Sequence, residues 1–260
     1  MQNTLNIAII QTNLIWENQD QNRAHFSEKI NAISGNVDLI ILPEMFSTGF
    51  TMNPARVAET MDGETMLWLK KMAKEKNTAI TGSLVIKKDD NYYNRLVFVF
   101  PNGEVQTYDK RHTFALAGED KVYTAGNKKL IVDYKGWKIC PLICYDLRFP
   151  VWARNTENYD VLIYVANWPK PRINAWNTLL KARAIENMSY CIGVNRVGTD
   201  DNGYEYSGHS AAYDSLGKEI SSIKPDEITT EIISLNKEDL LKTREKFRFL
   251  DDKDRFNIKI

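Results

Sequence analysis

The chain has 260 residues, 43% of them hydrophobic and 26% charged, proportions ordinary for a globular protein in water. Its 34 Lys and Arg balance 34 Asp and Glu, which argues against nucleic acid or an anionic membrane as a partner. Three cysteines suggest neither a disulfide framework nor a zinc knuckle, and no apolar run approaches the ~20 residues of a membrane span. With no basic leader before the first strand, a cytoplasmic protein is expected.

Residues 5–11 read as a buried strand, 17–34 as a helix with Phe26, Ile30 and Ile33 on one face, and 37–42 as a second strand stopped by Pro43. Strand, helix, strand in so short a span favours an α/β layout. Glu44 then stands at the carboxyl end of a core strand, the edge where α/β sheets tend to bind ligands. A second helix spans 64–76, anchored by Leu67, Trp68 and Met72. Strands at 78–86, 91–100 and 104–109, joined by turn-forming residues, make a meander, so the sheet is mixed. The meander ends in Tyr108-Asp109-Lys110-Arg111-His112, a basic cluster at a strand end.

A hairpin, 129–134 to 136–144, delivers Cys144 to the tip of an apolar strand. Asp146, Arg148 and Pro150 follow, and Pro150 can open a helix over 150–157. Another buried strand, 160–166, ends in Asn167-Trp168-Pro169. Residues 173–189 are helical, with Leu179, Leu180, Ala184 and Met188 in a stripe and Arg183, Glu186 and Asn187 opposite. Strands are expected at 190–196, 204–207, 210–213, 218–222 and 228–235, then a charged helix at 236–246. The tail, 247–260, keeps Phe247, Phe249, Phe256 and Ile258, so it is expected to dock on the domain or on a partner subunit. No repeat or linker interrupts the chain, and a single domain over 1–260 is the simplest organisation.

Glu44, Lys110 and Cys144 thus all sit at strand ends. A thiol needs a base to become a nucleophile, and a carboxylate within hydrogen-bond reach can serve. A lysine ammonium beside the attacked carbon stabilises a developing oxyanion. Each residue also has a structural reading: Cys144 as a small core hydrophobe, Glu44 as a cap, Lys110 as a solvated charge. Cys140 and Cys191, inside apolar strands, read as core. His25 reads as a surface residue and His112 as a hydrogen-bonder.

Leu42-Pro43-Glu44, Tyr108 to Phe114 and Cys144 to Phe149 together resemble the three signatures of the nitrilase superfamily of carbon–nitrogen hydrolases. That resemblance covers nearly the whole chain. It implies a four-layer αββα sandwich with mixed sheets, no metal or organic cofactor, and a homodimer whose outer helical layers pack together. It also implies roles. Glu44 is the general base, Lys110 binds the tetrahedral intermediate, and Cys144 forms a thioester acyl-enzyme as ammonia leaves. The backbone N–H of Tyr145 is the second oxyanion donor. Glu119, seven residues before Gly126, positions substrate and lysine, although Asp120 replaces the serine common in the family at the next position.

Tyr145-Asp146 after the cysteine, where true nitrilases usually carry Trp-Glu, favours amides over nitriles. Cys144 to Trp152 and Val165 to Arg172 are similar to the bacterial omega-amidase branch, whose members cleave the terminal amide of 2-oxoglutaramate or 2-oxosuccinamate. The small-molecule substrate then carries a carboxylate that needs a cationic or N–H-rich partner. Arg148 and His209 are candidates, with Phe46 and Trp168 as apolar walls; an internal pair between Arg148 and Asp146 is the alternative. An N-carbamoyl amidohydrolase and a general short-chain amidase share this chemistry. A binding protein on a retained fold, or a thiol redox sensor using Cys144, are the alternatives outside it.

Overall fold

A computed structural model describes residues 2–259. Strand β1 (Thr4–Gln11) buries both faces: Leu5, Ile7 and Ile9 join one apolar cluster, Ala8 and Ile10 another. A strand apolar on both sides must lie between two layers. The chain continues through α1 (Gln19–Ala32), β2 (Leu39–Ile41), α2 (Pro54–Val57) and α3 (Glu64–Lys76) to the meander β3 (Ala79–Lys88), β4 (Asn91–Val99) and β5 (Val105–Asp109). One helical turn, α4 (Glu119–Val122), leads to β6 (Val132–Tyr134), β7 (Trp137–Ile143), α5 (Pro150–Ala153), β8 (Val161–Ala166), α6 (Ile173–Asn187) and β9 (Tyr190–Asn195). Three short strands follow, β10 (Val197–Thr199), β11 (Glu205–Ser207) and β12 (Ala211–Tyr213), then β13 (Thr229–Asn236) and α7 (Lys237–Phe247).

Two mixed sheets result, ordered β13-β1-β2-β3-β4-β5 and β12-β9-β8-β7-β6, with β10 and β11 as a separate ribbon. The parallel pairs are β1–β2, β2–β3, β7–β8 and β8–β9. Ile7, Ile9, Leu39 and Phe98 of the first sheet pack with Ile139, Ile163 and Ile192 of the second, forming the inner core. Phe26 and Ile30 of α1 and Met66, Leu69 and Met72 of α3 cover the other face of the first sheet. Trp176, Leu180 and Ala184 of α6 cover the second. The architecture is the expected αββα sandwich.

Two helix faces differ from the reading by periodicity. On α3 the buried apolar residues are Met66, Leu69, Met72 and Ala73, and Leu67 is 53% exposed. On α6, Arg183 and Asn187 are buried beside Leu180 and Ala184 rather than opposite them. The physical reason is a polar surface beneath the helix. Arg183 Nη2 donates to the Leu147 carbonyl at 2.6 Å, and Asn187 Oδ1 accepts from the Asn155 N–H at 2.9 Å. Buried backbone groups in those loops need partners, and the helix supplies them. The strand expected at 218–222 reduces to one bridge, Tyr213 to Glu219. In the tail, Lys253 Nζ donates to Asn158 Oδ1 at 3.0 Å, and residues 252–254 and 256–258 border a cleft with Pro150, Val151, Arg154 and Glu186. Phe247 and Phe249 stack on each other and stay partly exposed. Among the described residues no helix is long and apolar enough to cross a membrane.

Candidate active site

The carboxyl ends of β2, β7, β8 and β9 meet at one edge of the sandwich. Pro43 stops β2, and Met45 then adopts φ 44°, in the left-handed region. That turn leaves Glu44 fully buried, pointing between the sheets. Its Oε1 accepts from Lys110 Nζ at 2.9 Å and Asn94 Nδ2 at 2.8 Å, and its Oε2 from the Asn167 N–H at 2.8 Å. Asn167 returns the contact, donating through Nδ2 to the Glu44 carbonyl at 2.6 Å. Lys110, directly after β5, also donates to Glu119 Oε1 and Oε2 at 3.0 and 2.9 Å. The loop carrying Glu119 closes on Lys110 through the Gly126 N–H, which donates to the Lys110 carbonyl at 2.9 Å. Only glycine fits there: a Cβ on Gly126 would lie 2.1 Å from the Asp109 carbonyl oxygen.

Cys144 follows β7 at φ 42°, a conformation costly for a residue with a Cβ. Asp146 holds this bend. Its Oδ2 accepts from the Ile143 N–H at 3.1 Å and the Tyr108 hydroxyl at 2.7 Å, and its Oδ1 from the His112 N–H at 3.0 Å. Imidazole Nδ1 of His112 lies 2.8 Å from the same Oδ1, and its ring stacks on Phe149 at 3.7 Å. Residues 144–148 form a 3-10 turn, and the Tyr145 N–H, in its first turn, has no acceptor within the helix.

These charges shape one another. Burial works against the Lys110 ammonium, but the Glu119 and Glu44 carboxylates outweigh it and hold its pKa above the ordinary lysine range. Burial raises Glu119, and Lys110 opposes that rise. For Cys144, burial and the adjacent Glu44 carboxylate push the thiol well above its usual range. The resting nucleophile is therefore a protonated thiol beside a carboxylate, which needs a base at the moment of attack. Cys140, chiefly by burial, is pushed up to about 12 and lies inside β7, while Cys191 is equally enclosed in β9.

Glu44→Gln should therefore separate ionisation from turnover. Without the neighbouring negative charge the Cys144 thiol titrates lower, so at pH 8 it reacts with iodoacetamide about 3- to 10-fold faster than wild type. Amide hydrolysis falls at the same time. Mass-spectrometric alkylation rates across pH check this, and an unchanged or slower rate means Glu44 does not set the thiol's ionisation.

Above Cys144 opens a cleft of about 730 Å³, lined by Lys110, Tyr145, Arg148, Asn167 and Trp168 and walled by Phe50 and Phe114. Trp168 is the expected apolar wall. Arg148 is not paired with Asp146; its guanidinium lies 4.9 Å from the centre of the Trp168 ring. Two expected residues lie elsewhere. Phe46 is fully buried against Phe26 and Trp68 in the outer layer, because the turn at Met45 reverses its side chain, and Phe50 lines the cleft instead. His209 faces α6, its Nδ1 3.1 Å from Asn177 Nδ2, and is not in the lining. Asn94, which bridges Glu44 and Glu119 at 2.8 and 3.2 Å, was not anticipated. An asparagine, a poor strand former, in the middle of β4 is the signal that could have flagged it. Arg172 was equally unforeseen, because its place in the lining depends on how the loop after β8 folds back. Among the described residues no cluster of His, Cys, Asp or Glu is arranged to hold a metal ion.

Comparison with known proteins agrees with this geometry. The carbon-nitrogen hydrolase family model matches residues 6–245. Omega-amidase YafV of Yersinia enterocolitica is 43% identical over 97% of this chain and 98% of its own length. A 2-oxoglutaramate amidase of Bacillus subtilis is 33% identical over 82% of this chain and 83% of its own. The crystal structure of XC1258 from Xanthomonas campestris, a CN-hydrolase superfamily protein, superposes with a TM-score of 0.97 at 38% identity, covering 99% of this chain and all of that one. A buried carboxylate, ammonium and thiol brought together at one edge of an αββα sandwich, in a sequence matched along nearly its whole length, place this chain in the carbon-nitrogen hydrolase family.

Proposed function

We propose that this chain is an omega-amidase, cleaving the terminal amide of 2-oxo dicarboxylic acid monoamides such as 2-oxoglutaramate and 2-oxosuccinamate. The observation that carries the reading is the cleft itself: a thiol with a buried carboxylate and ammonium at its base, and guanidinium groups on its walls. The identities to an omega-amidase and a 2-oxoglutaramate amidase support it.

In this reading Glu44 takes the Sγ proton as Cys144 attacks the amide carbon. Negative charge moves onto the carbonyl oxygen, which Lys110 Nζ and the Tyr145 N–H stabilise. Glu44 returns the proton to nitrogen, the C–N bond breaks, and ammonia leaves a thioester on Cys144. Water, losing its proton to Glu44, attacks the thioester; the acid departs and the thiol is restored. Glu119 keeps Lys110 in place and oriented. Arg148 pairs with the substrate carboxylate, so Arg148→Ala raises KM about tenfold or more for acid amides and less for neutral ones. Equal changes for both would remove Arg148 from recognition.

Ammonia release from 2-oxoglutaramate, an N-carbamoyl amino acid and a neutral aliphatic amide tests the assignment. Turnover greatest for the oxo-acid amide is the expected result; preference for the carbamoyl compound would make the chain a carbamoyl amidohydrolase. A cytoplasmic homodimer belongs to the same proposal, with cell fractionation and sedimentation as its checks.

A further inference from the structure

The cleft holds two guanidinium groups, those of Arg148 and Arg172, and in the omega-amide reading a substrate carboxylate engages only one of them. Arg148 and Arg172 come from different segments, yet both are fixed by Trp168. Arg148 lies over its ring, and the Arg172 carbonyl accepts from Trp168 Nε1 at 2.8 Å. The Arg172 guanidinium sits 5.1 Å from the centre of the Phe114 ring, which packs on Tyr145, next to Cys144, at 4.8 Å. Phe114 is itself pinned, its N–H donating to Glu119 Oε2 at 2.6 Å. Arg172 is thus hung from the same residues that frame the nucleophile.

The acidic groups of the cleft are already engaged. Glu17 accepts from the Thr51 hydroxyl at 2.5 Å and pairs with Arg56 at 3.2 Å. Asp200 accepts from the Tyr206 hydroxyl at 2.9 Å and from the N–H groups of Asn202 and Tyr204, both at 3.0 Å. Among the described residues neither Arg148 nor Arg172 has a carboxylate partner. Two uncompensated cations in one cleft favour an occupant with more acceptors than a carboxylate alone.

A 2-oxo acid offers that. One guanidinium takes both carboxylate oxygens in a fork, and the ketone oxygen remains for N–H donors of the other. The corresponding 2-amino acid puts an ammonium at the same place, where it meets like charge and leaves donors unpaired. We propose that Arg172 reads the 2-position of the substrate, accepting a 2-oxo group and rejecting a 2-ammonium group, so that free glutamine and asparagine are excluded. This rests on the omega-amide reading and adds to it the residue that makes the choice.

The test compares kcat/KM for 2-oxoglutaramate, glutaric acid monoamide, L-glutamine and a neutral aliphatic amide in wild type, Arg172→Gln, Arg172→Lys and Lys170→Gln. Lys170 shares the turn with Arg172 but lies outside the cleft lining, half exposed. In Arg172→Gln the preference for 2-oxoglutaramate over the monoamide falls at least about tenfold, mainly through KM, and that over glutamine falls further. Arg172→Lys, which keeps the charge but not the fork, retains most of the discrimination against glutamine. Lys170→Gln keeps both ratios. If wild type prefers the oxo acid and Arg172→Gln keeps the ratios, or Lys170→Gln lowers them equally, the Arg172 assignment alone falls. If wild type hydrolyses a neutral aliphatic amide as well as the oxo acid, the omega-amide reading falls and takes the assignment with it.

Discussion

Cys144→Ala lowers ammonia release from 2-oxoglutaramate by at least about 10⁴-fold, the scale on which removing a nucleophile is felt when the rest of its machinery stays in place. Glu44 and Lys110 are held by Asn94, Asn167 and Glu119, not by the sulfur, so the alanine variant keeps a preformed site with nothing to attack. The bend at residue 144 is held by Asp146 through Ile143, Tyr108 and His112, none of which touches the thiol in doing so. Alanine also tolerates φ 42° no worse than cysteine. Thermal unfolding should therefore be nearly unchanged, and acyl-enzyme, detectable in wild type by mass after an acid quench, should be absent. Residual turnover within tenfold of wild type would show that another group attacks the amide.

Lys110→Met has a different signature, because it damages both chemistry and fold. The ammonium lies between Glu44 and Glu119, both fully buried, and its loss leaves two carboxylates without their shared cation. Breaking a buried pair by removing one partner costs about 3–5 kcal/mol, read here by urea denaturation at neutral pH. Turnover falls about 10²- to 10³-fold or more, as when an oxyanion donor is lost. The stability loss also depends on pH. Burial already raises the Glu119 pKa from its ordinary value of 4.5, and Lys110 opposes that. Without the lysine the folded-state value climbs further. A group whose folded pKa is raised contributes stability below its unfolded pKa and loses it as pH rises through the folded one. The deficit of Lys110→Met should therefore shrink toward pH 5 and widen toward pH 8, and adding Glu119→Gln should recover part of it at the higher pH. A deficit independent of pH, or one unrelieved by the second substitution, would mean that lost packing of the lysine stem is responsible.

The exposure of charge to solvent separates what could be read from the chain from what could not. Strands such as residues 161–166, apolar throughout, can only be core, and the turns that end them put Glu44, Lys110 and Cys144 at strand tips. Residue chemistry in short segments was therefore legible, as was an α/β layout with a mixed sheet, whereas the αββα layering was implied by the family resemblance and not by the strand pattern. The positions of Phe46 and His209 were not legible. Phe46 lies only two residues beyond a correctly placed motif, but in both cases a left-handed residue, Met45 in one and His209 itself in the other, turns the side chain away from the cleft. A single φ sign decides such a direction, and periodicity carries no information about it. Arg183 and Asn187 looked like a solvent face because charge usually is one; here they answer the unpaired backbone of loops contributed by distant segments. Most of the elements, the strand tips that carry reactive groups and the reaction class they suit follow from local pattern and side-chain chemistry. Only the tertiary structure decided the hydrogen bonds among Glu44, Asn94, Lys110, Glu119 and Asn167, and the meeting of Arg148 with Arg172 around Trp168. Those contacts join residues up to 123 positions apart, and their geometry exists only once two sheets have closed on each other.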